Sequence, residues 1–137
     1  MLKKIKLRTE IGEDLVDVTS EIDMVIQDSG IIEGACLVFI PHTTAGITIN
    51  SALDVNTTKD ILHELDRLVP TRVDFYHQYD TPQDAAGHIK SVLVGQSQSI
   101  IISEGGLKLG SSQSVLFCEF DGPRDRQVWL RILQDKD

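Results

Sequence analysis

The sequence predicts a single α+β domain over residues 1–137, built as a mostly antiparallel β-sandwich with two to three helices. Near both ends of the chain, short segments alternate apolar and polar residues, which is typical of half-buried strands. In the middle of the chain, apolar residues instead recur at helical spacing. Because the strands and helices fall in separate runs, an antiparallel sheet or sandwich is favoured.

The first half of the chain is predicted to contain one helix and several strands. Ser20, with Asp23 three residues later, is expected to cap the start of the helix, and Gly30 is expected to end it. Ala35–Ile40 is a continuous apolar run, which predicts a strand covered on both faces and ended by Pro41. The predicted strands are Leu2–Arg8, Val16–Val18, Ala35–Ile40 and Gly46–Asn50.

Two further helices are predicted in the middle of the chain, followed by a β-rich last third. Asp54 is expected to cap the first of these helices and Pro70 to stop it. Thr81 and Pro82 mark the start of the second, which runs to Gly95. The predicted strands that follow are Ser99–Ser103, Leu107–Leu109, Ser114–Phe120 and Gln127–Leu133.

The charge composition argues against a nucleic-acid-binding protein. The net charge is −8, whereas contact with phosphates needs a basic surface. Lys3, Lys4, Lys6 and Arg8 alternate with apolar residues, so we expect them to form the solvated face of an edge strand, where they deter aggregation. A nucleic-acid or membrane contact through these residues is the less favoured alternative.

The sequence predicts a cytoplasmic protein with no membrane partner. No apolar stretch approaches the ~20 residues that span a bilayer. The N-terminal segment Met-Leu-Lys-Lys-Ile-Lys lacks the apolar core of a secretory signal. Cys36 and Cys118 each lie inside an apolar run, so buried free thiols are favoured over a disulfide or a nucleophile.

Histidines and carboxylates provide the best candidate for a reactive site. His42 lies in a predicted loop between two strands, and His77 and His88 bracket the acidic turn 80–84. Neutral imidazole is the commonest protein metal ligand and the usual general base near neutral pH. Three imidazoles with one open position would form a catalytic zinc site. His63 lies on a polar helix face and is expected to be solvated.

Asp84 and His88 are four residues apart and therefore share one face of the predicted helix. Such a pair can supply two metal ligands, one ligand and the group that orients it, or a general base and its orienting group. The alternative is an ordinary surface pair worth about 0.2–0.5 kcal/mol.

Two segments could bind an anion. In Leu109–Ser114, small residues would let backbone N–H groups and hydroxyls approach an anion closely, although a polar hairpin turn is slightly favoured. Arg124 follows a Gly-Pro turn and has the planar guanidinium that suits phosphate or carboxylate binding. A surface ion pair is the more common role for a single arginine.

Four segments together resemble the YjbQ-like family, over nearly the whole chain and in the right order. The first is Pro-His-Thr-Thr-Ala-Gly-Ile-Thr-Ile-Asn at residues 41–50, and the second is the His77–His88 spacing that continues into Ile89-Lys90. The third is Leu-Lys-Leu-Gly at residues 107–110 with Gln113, and the fourth is Glu-Phe-Asp-Gly-Pro-Arg at residues 119–124. The resemblance implies a compact α+β domain on a β-sandwich that assembles as a homotrimer. The family is labelled a secondary thiamine-phosphate synthase on the strength of a weak activity, so the resemblance also implies that activity.

The resemblance also implies roles for individual residues. His42, His77 and His88 would bind the metal, which is expected to be zinc, and His42, Asp84 and His88 would take part in catalysis. Asp60 matches a further family position without an implied role. The positions implied to bind substrate are Asn50, Gly110, Ser111, Ser112, Gln113, Glu119 and Arg124.

Two positions depart from the family pattern. Ser112 stands where many members have tryptophan, which would open or re-polarise one wall of the site. Gly87 stands where alanine is usual before the histidine, at a small loss of helix propensity. The first departure bears on which substrate is bound more than on metal binding.

Three functions follow from these features. The leading hypothesis is a metal-dependent enzyme that acts on a small phosphorylated metabolite, with thiamine-phosphate synthesis as the named candidate. The alternatives are a zinc-dependent hydrolase and a non-catalytic trimer that binds a metal or small ligand. The acidic composition and the lack of an Asp-rich magnesium motif count against tight binding of a diphosphate.

Overall fold

The structure, a computed structural model, describes residues 2–136 as two antiparallel sheets and three helices. The helices are α1 (Thr19–Ser29), α2 (Val55–Leu68) and α3 (Pro82–Val94). The strands are β1 (Leu2–Arg8), β2 (Asp14–Asp17), β3 (Gly34–Phe39), β4 (Ala45–Asn50), β5 (Ser97–Ser103), β6 (Gly106–Leu107), β7 (Ser114–Glu119) and β8 (Asp125–Gln134). The predicted α+β class is confirmed.

The larger sheet has the strand order β1-β8-β3-β5-β6, and the smaller has the order β2-β7-β4. β1 lies at an edge of the larger sheet, as its lysines predict, and pairs only with β8 in the described chain. In the smaller sheet, β7 is central, and its register places Ala45 opposite Glu119 and Asn50 opposite Ser114. This register decides which predicted residues lie together.

The core consists of two layers of side chains, one on each face of the small sheet. One layer packs between the two sheets and includes Ile22 and Ile26 of α1 together with Phe117. The other layer includes Leu116 and Phe120 and is covered by apolar residues of α2. Ser114–Phe120 is therefore buried on both faces along almost its whole length, as its apolar run predicts.

The predicted helix ends are mostly confirmed. The Asp54 side chain accepts from Asn56 N–H at the start of α2, and the Thr81 side chain accepts from Asp84 N–H at the start of α3. Gly30 ends α1 with a positive φ of 76°, a conformation that costs glycine little.

The prediction that Ser20 caps α1 is wrong. The helix begins at Thr19, and Val18 occupies the capping position without a side-chain hydrogen bond. Asp17 instead accepts from the Thr19 N–H at 3.0 Å, while the Thr19 hydroxyl accepts from the Val115 N–H at 2.8 Å. The start of α1 is thus set by its attachment to β7, a contact between residues far apart in the sequence.

The prediction that Ala35–Ile40 is covered on both faces is also wrong within this chain. Alternate residues of β3 are buried, whereas Leu37 and Phe39 are 39% and 41% exposed on the outer face of the larger sheet. The strand predicted at 107–109 lies at Gly106–Leu107, and the Leu107 N–H on its far side from β5 donates to the Asp23 carboxylate of α1 at 2.9 Å. The strand predicted at 16–18 lies at Asp14–Asp17.

Both cysteines are buried free thiols, as predicted. Burial raises the pKa of Cys36 to about 11 and that of Cys118 to about 12, so neither is a nucleophile at neutral pH. Within residues 2–136, no helix is both long enough and apolar enough to cross a membrane.

Candidate metal centre

The first two turns of α3 position the central residues of the site. The Thr81 cap and Pro82 begin the helix, which places Asp84 in its first turn and His88 one turn later. Gly87 lets the helix lie against the end of β7, since a Cβ there would come within 3.1 Å of the Phe120 carbonyl oxygen. His88 is therefore held beside that strand end by close packing of its own helix.

A buried lysine anchors the same helix from behind. Lys90 is 1% exposed, and its ammonium donates to the carboxylates of Glu13 at 2.8 Å and of Asp66 in α2. A buried ammonium is costly unless it is paired, and here two carboxylates share it. Lys90 thus ties α3 to α2 and to the loop before β2, and it was not predicted from the sequence.

His77, Asp84 and His88 converge into one group. Asp84 Oδ2 lies 3.0 Å from His77 Nε2 and 3.2 Å from His88 Nε2. One potential ligand atom from each of the three residues lies within 4.8 Å of the others. The two imidazoles are about two-fifths exposed, whereas the carboxylate between them is almost completely buried. The group is thus fixed on the protein side and open on the other.

A second carboxyl group lies against the first. Burial and the contact with Asp84 raise the pKa of Asp121, although Arg124 opposes this by donating from Nη2 to Asp121 Oδ2 at 2.8 Å. Burial alone would also raise the pKa of Asp84, but hydrogen bonds with Asp121, His77 and His88 outweigh it and lower that pKa. The lowered pKa keeps Asp84 ionised at neutral pH, as a metal ligand must be.

The structure places His42 outside this group, although the sequence predicts it as a third histidine ligand. His42 lines a cleft of about 370 Å³ that also includes Asp80, Asp84, His88 and Arg124. Its Nε2 accepts from the Gln127 N–H at 2.9 Å. Because a backbone N–H can only donate, neutral His42 carries its ring proton on Nδ1.

The electrostatic surroundings keep His42 neutral. Burial and the charge of Arg126 lower the pKa of His42, against the smaller opposing effects of Glu119 and the Gln127 N–H. With Nε2 occupied, His42 presents Nδ1–H, a hydrogen-bond donor, to any ligand. This arrangement suits contact with an oxygen atom of a substrate better than ligation of a metal.

The structure places Glu119, which the sequence predicts to bind substrate, in the protein interior. The carboxylate is completely buried and accepts from the Thr9 hydroxyl at 2.6 Å, from the Asp121 N–H at 3.0 Å and from Arg126 Nε at 2.8 Å. Arg126 Nη2 contacts the same carboxylate and also donates to Thr44 Oγ1 at 2.9 Å. The Glu119 oxygens are not accessible to a substrate, because they are buried and neutralise a buried arginine.

Arg126 lines the cleft but was not predicted from the sequence as a site residue. It immediately precedes the predicted strand at 127–133, in which alternate residues such as Val128 and Leu130 are buried. Extending this alternation by one step places residue 126 on the inner face as well. A charged residue at an inward-facing position was therefore the signal that could have identified it.

Asn50 and the turn at Gly110, Ser111, Ser112 and Gln113 lie away from the histidines within this chain. Asn50 is opposite Ser114 at one end of the β4–β7 ladder, whereas Ala45 and Glu119 are at the other, five residues or about 17 Å away. The Gln113 side chain accepts from the Gly110 N–H at 2.8 Å, so it closes its own turn. The sequence predicts these residues in one site with Arg124, but within one subunit they do not lie together.

Of the remaining predicted positions, two flank the site and two lie on α2. Asp80 Oδ2 is 3.9 Å from His77 Nε2 and lines the cleft. The Arg124 side chain is half exposed, also lines the cleft, and is oriented by the Asp121 backbone carbonyl and carboxylate. Asp60 and His63 are both exposed on α2.

Two imidazoles and a carboxylate form a donor set that suits zinc. His₂-carboxylate sites with an open position are one of the common catalytic zinc arrangements. The observed Nε2–Oδ2 distances of 3.0 and 3.2 Å are close to the ~3.3 Å between neighbouring ligands of tetrahedral zinc. Asp80 and Asp121 add negative charge around the group, which favours a cation there.

Comparison with protein families and known structures identifies close relatives. The family model for UPF0047 protein YjbQ-like matches residues 3–135. The chain is 40% identical to the UPF0047 protein YugU of Bacillus subtilis, over 97% of this chain and 99% of that one. It is 44% identical to the UPF0047 protein MJ1081 of Methanocaldococcus jannaschii, over 99% of this chain and 96% of that one.

Solved structures agree with the sequence matches. A YjbQ/UPF0047 protein from Clostridium acetobutylicum matches with a TM-score of 0.90 at 43% identity, covering 96% of this chain and 99% of that one. A YbjQ-like protein of unknown function from Sulfolobus solfataricus matches with a TM-score of 0.92 at 28% identity, covering 98% and 97%. The chain therefore belongs to the YjbQ-like family, UPF0047.

Proposed function

We propose that this protein is a metal-dependent enzyme acting on a small phosphorylated metabolite, with weak thiamine-phosphate synthase activity as the named candidate. The observation that carries the proposal is the group of His77, Asp84 and His88, whose potential ligand atoms lie within 4.8 Å of one another at the wall of an open cleft. Asp84 is ionised and nearly buried, while the two imidazoles face solvent, so an ion can enter from the cleft.

Zinc is the metal that this donor set favours, and the three side chains would hold it. A bound zinc ion supplies positive charge and Lewis acidity to a phosphate or carbonyl oxygen. Around it, Asp121 would fix the orientation of Asp84, and such outer contacts are worth about 10–100-fold in metal affinity or activity. His42 would donate from Nδ1 to a substrate oxygen in the same cleft.

Thiamine-phosphate synthesis requires displacement of pyrophosphate. A C–N bond forms between the thiazole nitrogen and the pyrimidine methylene carbon, while the C–O bond to the diphosphate breaks and its electron pair leaves with pyrophosphate. Positive charge must stabilise the leaving group. Arg124 is the half-exposed cation that lines the cleft, and its pairing with Asp121 leaves it only partly available. We therefore expect this reaction to be slow.

A zinc-dependent hydrolase of esters or phosphoesters is supported by the same open, solvent-facing side of the group. A non-catalytic trimer that binds a metal or small ligand is the remaining alternative. An open coordination position on the bound metal would favour either enzyme, whereas coordination completed by protein ligands would favour the binding protein.

The function is tested by a turnover screen on metal-analysed protein. Wild type and Asp84→Asn are incubated with a panel of phosphorylated metabolites that includes the two precursors of thiamine phosphate. We expect wild type to convert at least one compound and Asp84→Asn to lower kcat by about tenfold or more. His63→Ala, on the exposed face of α2, serves as the control and should match wild type. Equal turnover by wild type and Asp84→Asn would contradict the proposal.

We also propose that the protein is a homotrimer with its sites near subunit boundaries. Leu2, Leu37, Phe39 and Leu133 are exposed on one face of the larger sheet, where they border an apolar cavity of about 480 Å³ together with Trp129. An exposed apolar patch of this kind is typical of an interface. A trimer would also allow Asn50 and the 110–113 turn of one subunit to approach the cleft of another.

Light scattering tests the assembly. At micromolar concentration we expect about three times the 15.2 kDa chain mass for wild type, and a monomer for Phe39→Glu because a buried unpaired charge opposes association. Met24→Glu, at an exposed position on α1, should keep the wild-type mass. A monomeric wild type would refute the trimer.

We further propose a cytoplasmic location. Both cysteines are unpaired and buried, which is consistent with a compartment that keeps thiols reduced.

A further inference from the structure

A second cavity lies on the other side of His42 from the metal centre. Its volume is about 500 Å³, and His42 and Arg126 line both this cavity and the cleft that contains Asp84 and His88. The two spaces are therefore neighbours that share two walls. The residues around the second cavity are Lys6, Leu7, Arg8, His42, Asp125, Arg126 and Gln127.

The pairing of β1 with β8 positions the basic residues of this cavity. Lys6 lies opposite Gln127, and Arg8 lies opposite Asp125. Beyond the ladder, the Thr9 N–H donates to the Arg124 carbonyl oxygen at 2.9 Å, which continues the attachment of β1 past its last residue. The charged groups are thus carried by a paired strand rather than by a mobile loop.

The cavity concentrates positive charge on an acidic protein. Three of the 13 basic residues of the chain border it: Arg126 is neutralised by Glu119, whereas Lys6 and Arg8 face one bordering carboxylate, Asp125. Arg8 approaches Asp125 at 3.4 Å, but the two side chains are 53% and 91% exposed, and such a pair is weak and easily rearranged. Arg8 and Lys6 are therefore accessible to a ligand anion.

His42 and Arg126 border the wall that the cavity shares with the cleft. The Arg126 side chain points to the inner face of the sheet, where it donates to Glu119 and Thr44, whereas the alternation along β1 places Lys6 and Arg8 on the outer face. His42 accepts at Nε2 and so keeps Nδ1–H as its donor. Lys6 and Arg8 are therefore the cations that an anion in this cavity can reach.

We propose that this cavity binds the phosphate group of the substrate through Lys6 and Arg8. The inference rests on the proposed function, because the reacting atom is then placed on the other side of His42, at the His77–Asp84–His88 group. Two cationic donors on one face of the cavity suit a phosphate monoester, with its three terminal oxygens and its double charge. The substrate class is a small phosphomonoester. Its phosphate and its reactive atom would lie on opposite sides of the His42 imidazole.

Phosphate titration followed by ¹⁵N–¹H NMR tests the proposal at constant ionic strength without added zinc. We expect inorganic phosphate to shift the amide signals of residues 6–8 and 125–127. Lys6→Gln/Arg8→Gln should weaken phosphate binding by about tenfold or more, because two charge-assisted contacts are lost. Lys3→Gln/Lys108→Gln makes the same change in net charge at exposed positions outside the cavity and should change the affinity less than about twofold.

Three results would overturn the proposal. One is an equal loss of affinity in the control variant, which would indicate general charge attraction. Another is that phosphate shifts mainly the amide signals of residues 110–113 rather than those of residues 6–8 and 125–127. The third is that acetate binds the same residues as tightly as phosphate, which would remove the preference for a phosphate group.

The metal centre is tested separately in the same variants. Lys6→Gln/Arg8→Gln should retain zinc binding, and His77→Ala/His88→Ala should retain phosphate binding at residues 6–8. Loss of phosphate binding in the cavity variant alone supports the inference. If the protein binds phosphate in the cavity but does not bind zinc, the result would contradict the proposed function and still support the phosphate site.

Discussion

His88→Ala is expected to weaken zinc binding by at least about 100-fold, because it removes one of three ligands whereas loss of an outer contact alone costs about 10–100-fold. Competition with a chromophoric chelator measures the affinity, and elemental analysis measures the metal content. Because imidazole binds zinc only when neutral, the affinity of the wild type should also fall as the pH is lowered from 7.5 to 5.

Two matched histidine variants make this experiment decisive. His63→Ala should leave zinc affinity unchanged because the side chain is exposed on α2. His42→Ala distinguishes the structure from the sequence-based prediction of three histidine ligands. The structure, with Asp84 as the third ligand, predicts that zinc affinity is largely kept, whereas a three-histidine site would lose it. Undiminished metal content in His88→Ala would refute the proposed centre.

Glu119→Gln is expected to lower the free energy of unfolding by about 3–5 kcal/mol at pH 7, because it leaves the Arg126 guanidinium buried without its countercharge. Urea denaturation with an unchanged m-value measures the loss. The matched control is Glu64→Gln, which breaks an exposed pair with Arg67 and should have no measurable effect. Removing both charges in Glu119→Gln/Arg126→Met should recover part of the lost stability.

The same residue predicts a pH dependence of stability. Burial would raise the pKa of Glu119, but hydrogen bonds from Arg126, Thr9 and the Asp121 N–H outweigh it, so the folded-state pKa lies below the ordinary value of 4.5. The contribution of Glu119 is therefore complete above the unfolded-state pKa and is lost as the pH falls through the lower folded-state value. Wild type should lose more stability than Glu119→Gln on acidification below pH 4.5. Equal pH dependence in the two proteins would contradict this assignment.

The start of α3 shows how much of the site local sequence could predict. Thr81, Pro82 and the i, i+4 spacing of Asp84 and His88 depend on contacts within about one helical turn, so the helix start and the shared face of this pair followed from the sequence. The edge position of β1 followed in the same way from its alternating lysines. In these cases the determining interactions lie within the element itself.

What the tertiary structure decided was which distant residues meet. Asp121 lies against Asp84, and Arg126 neutralises Glu119, because the β8 and α3 positions pack around the end of β7. Asn50 and Glu119 were predicted in one site, but the β4–β7 register puts them at opposite ends of the ladder. His42 was predicted as a metal ligand, but its Nε2 atom accepts a hydrogen bond from the Gln127 N–H, 85 residues away. Strand register cannot be inferred from residue type or periodicity. The sequence by itself therefore determined the helices, the strands and the chemical groups that they carry. Only the packing of sheets and helices against one another determined which of these groups share a site.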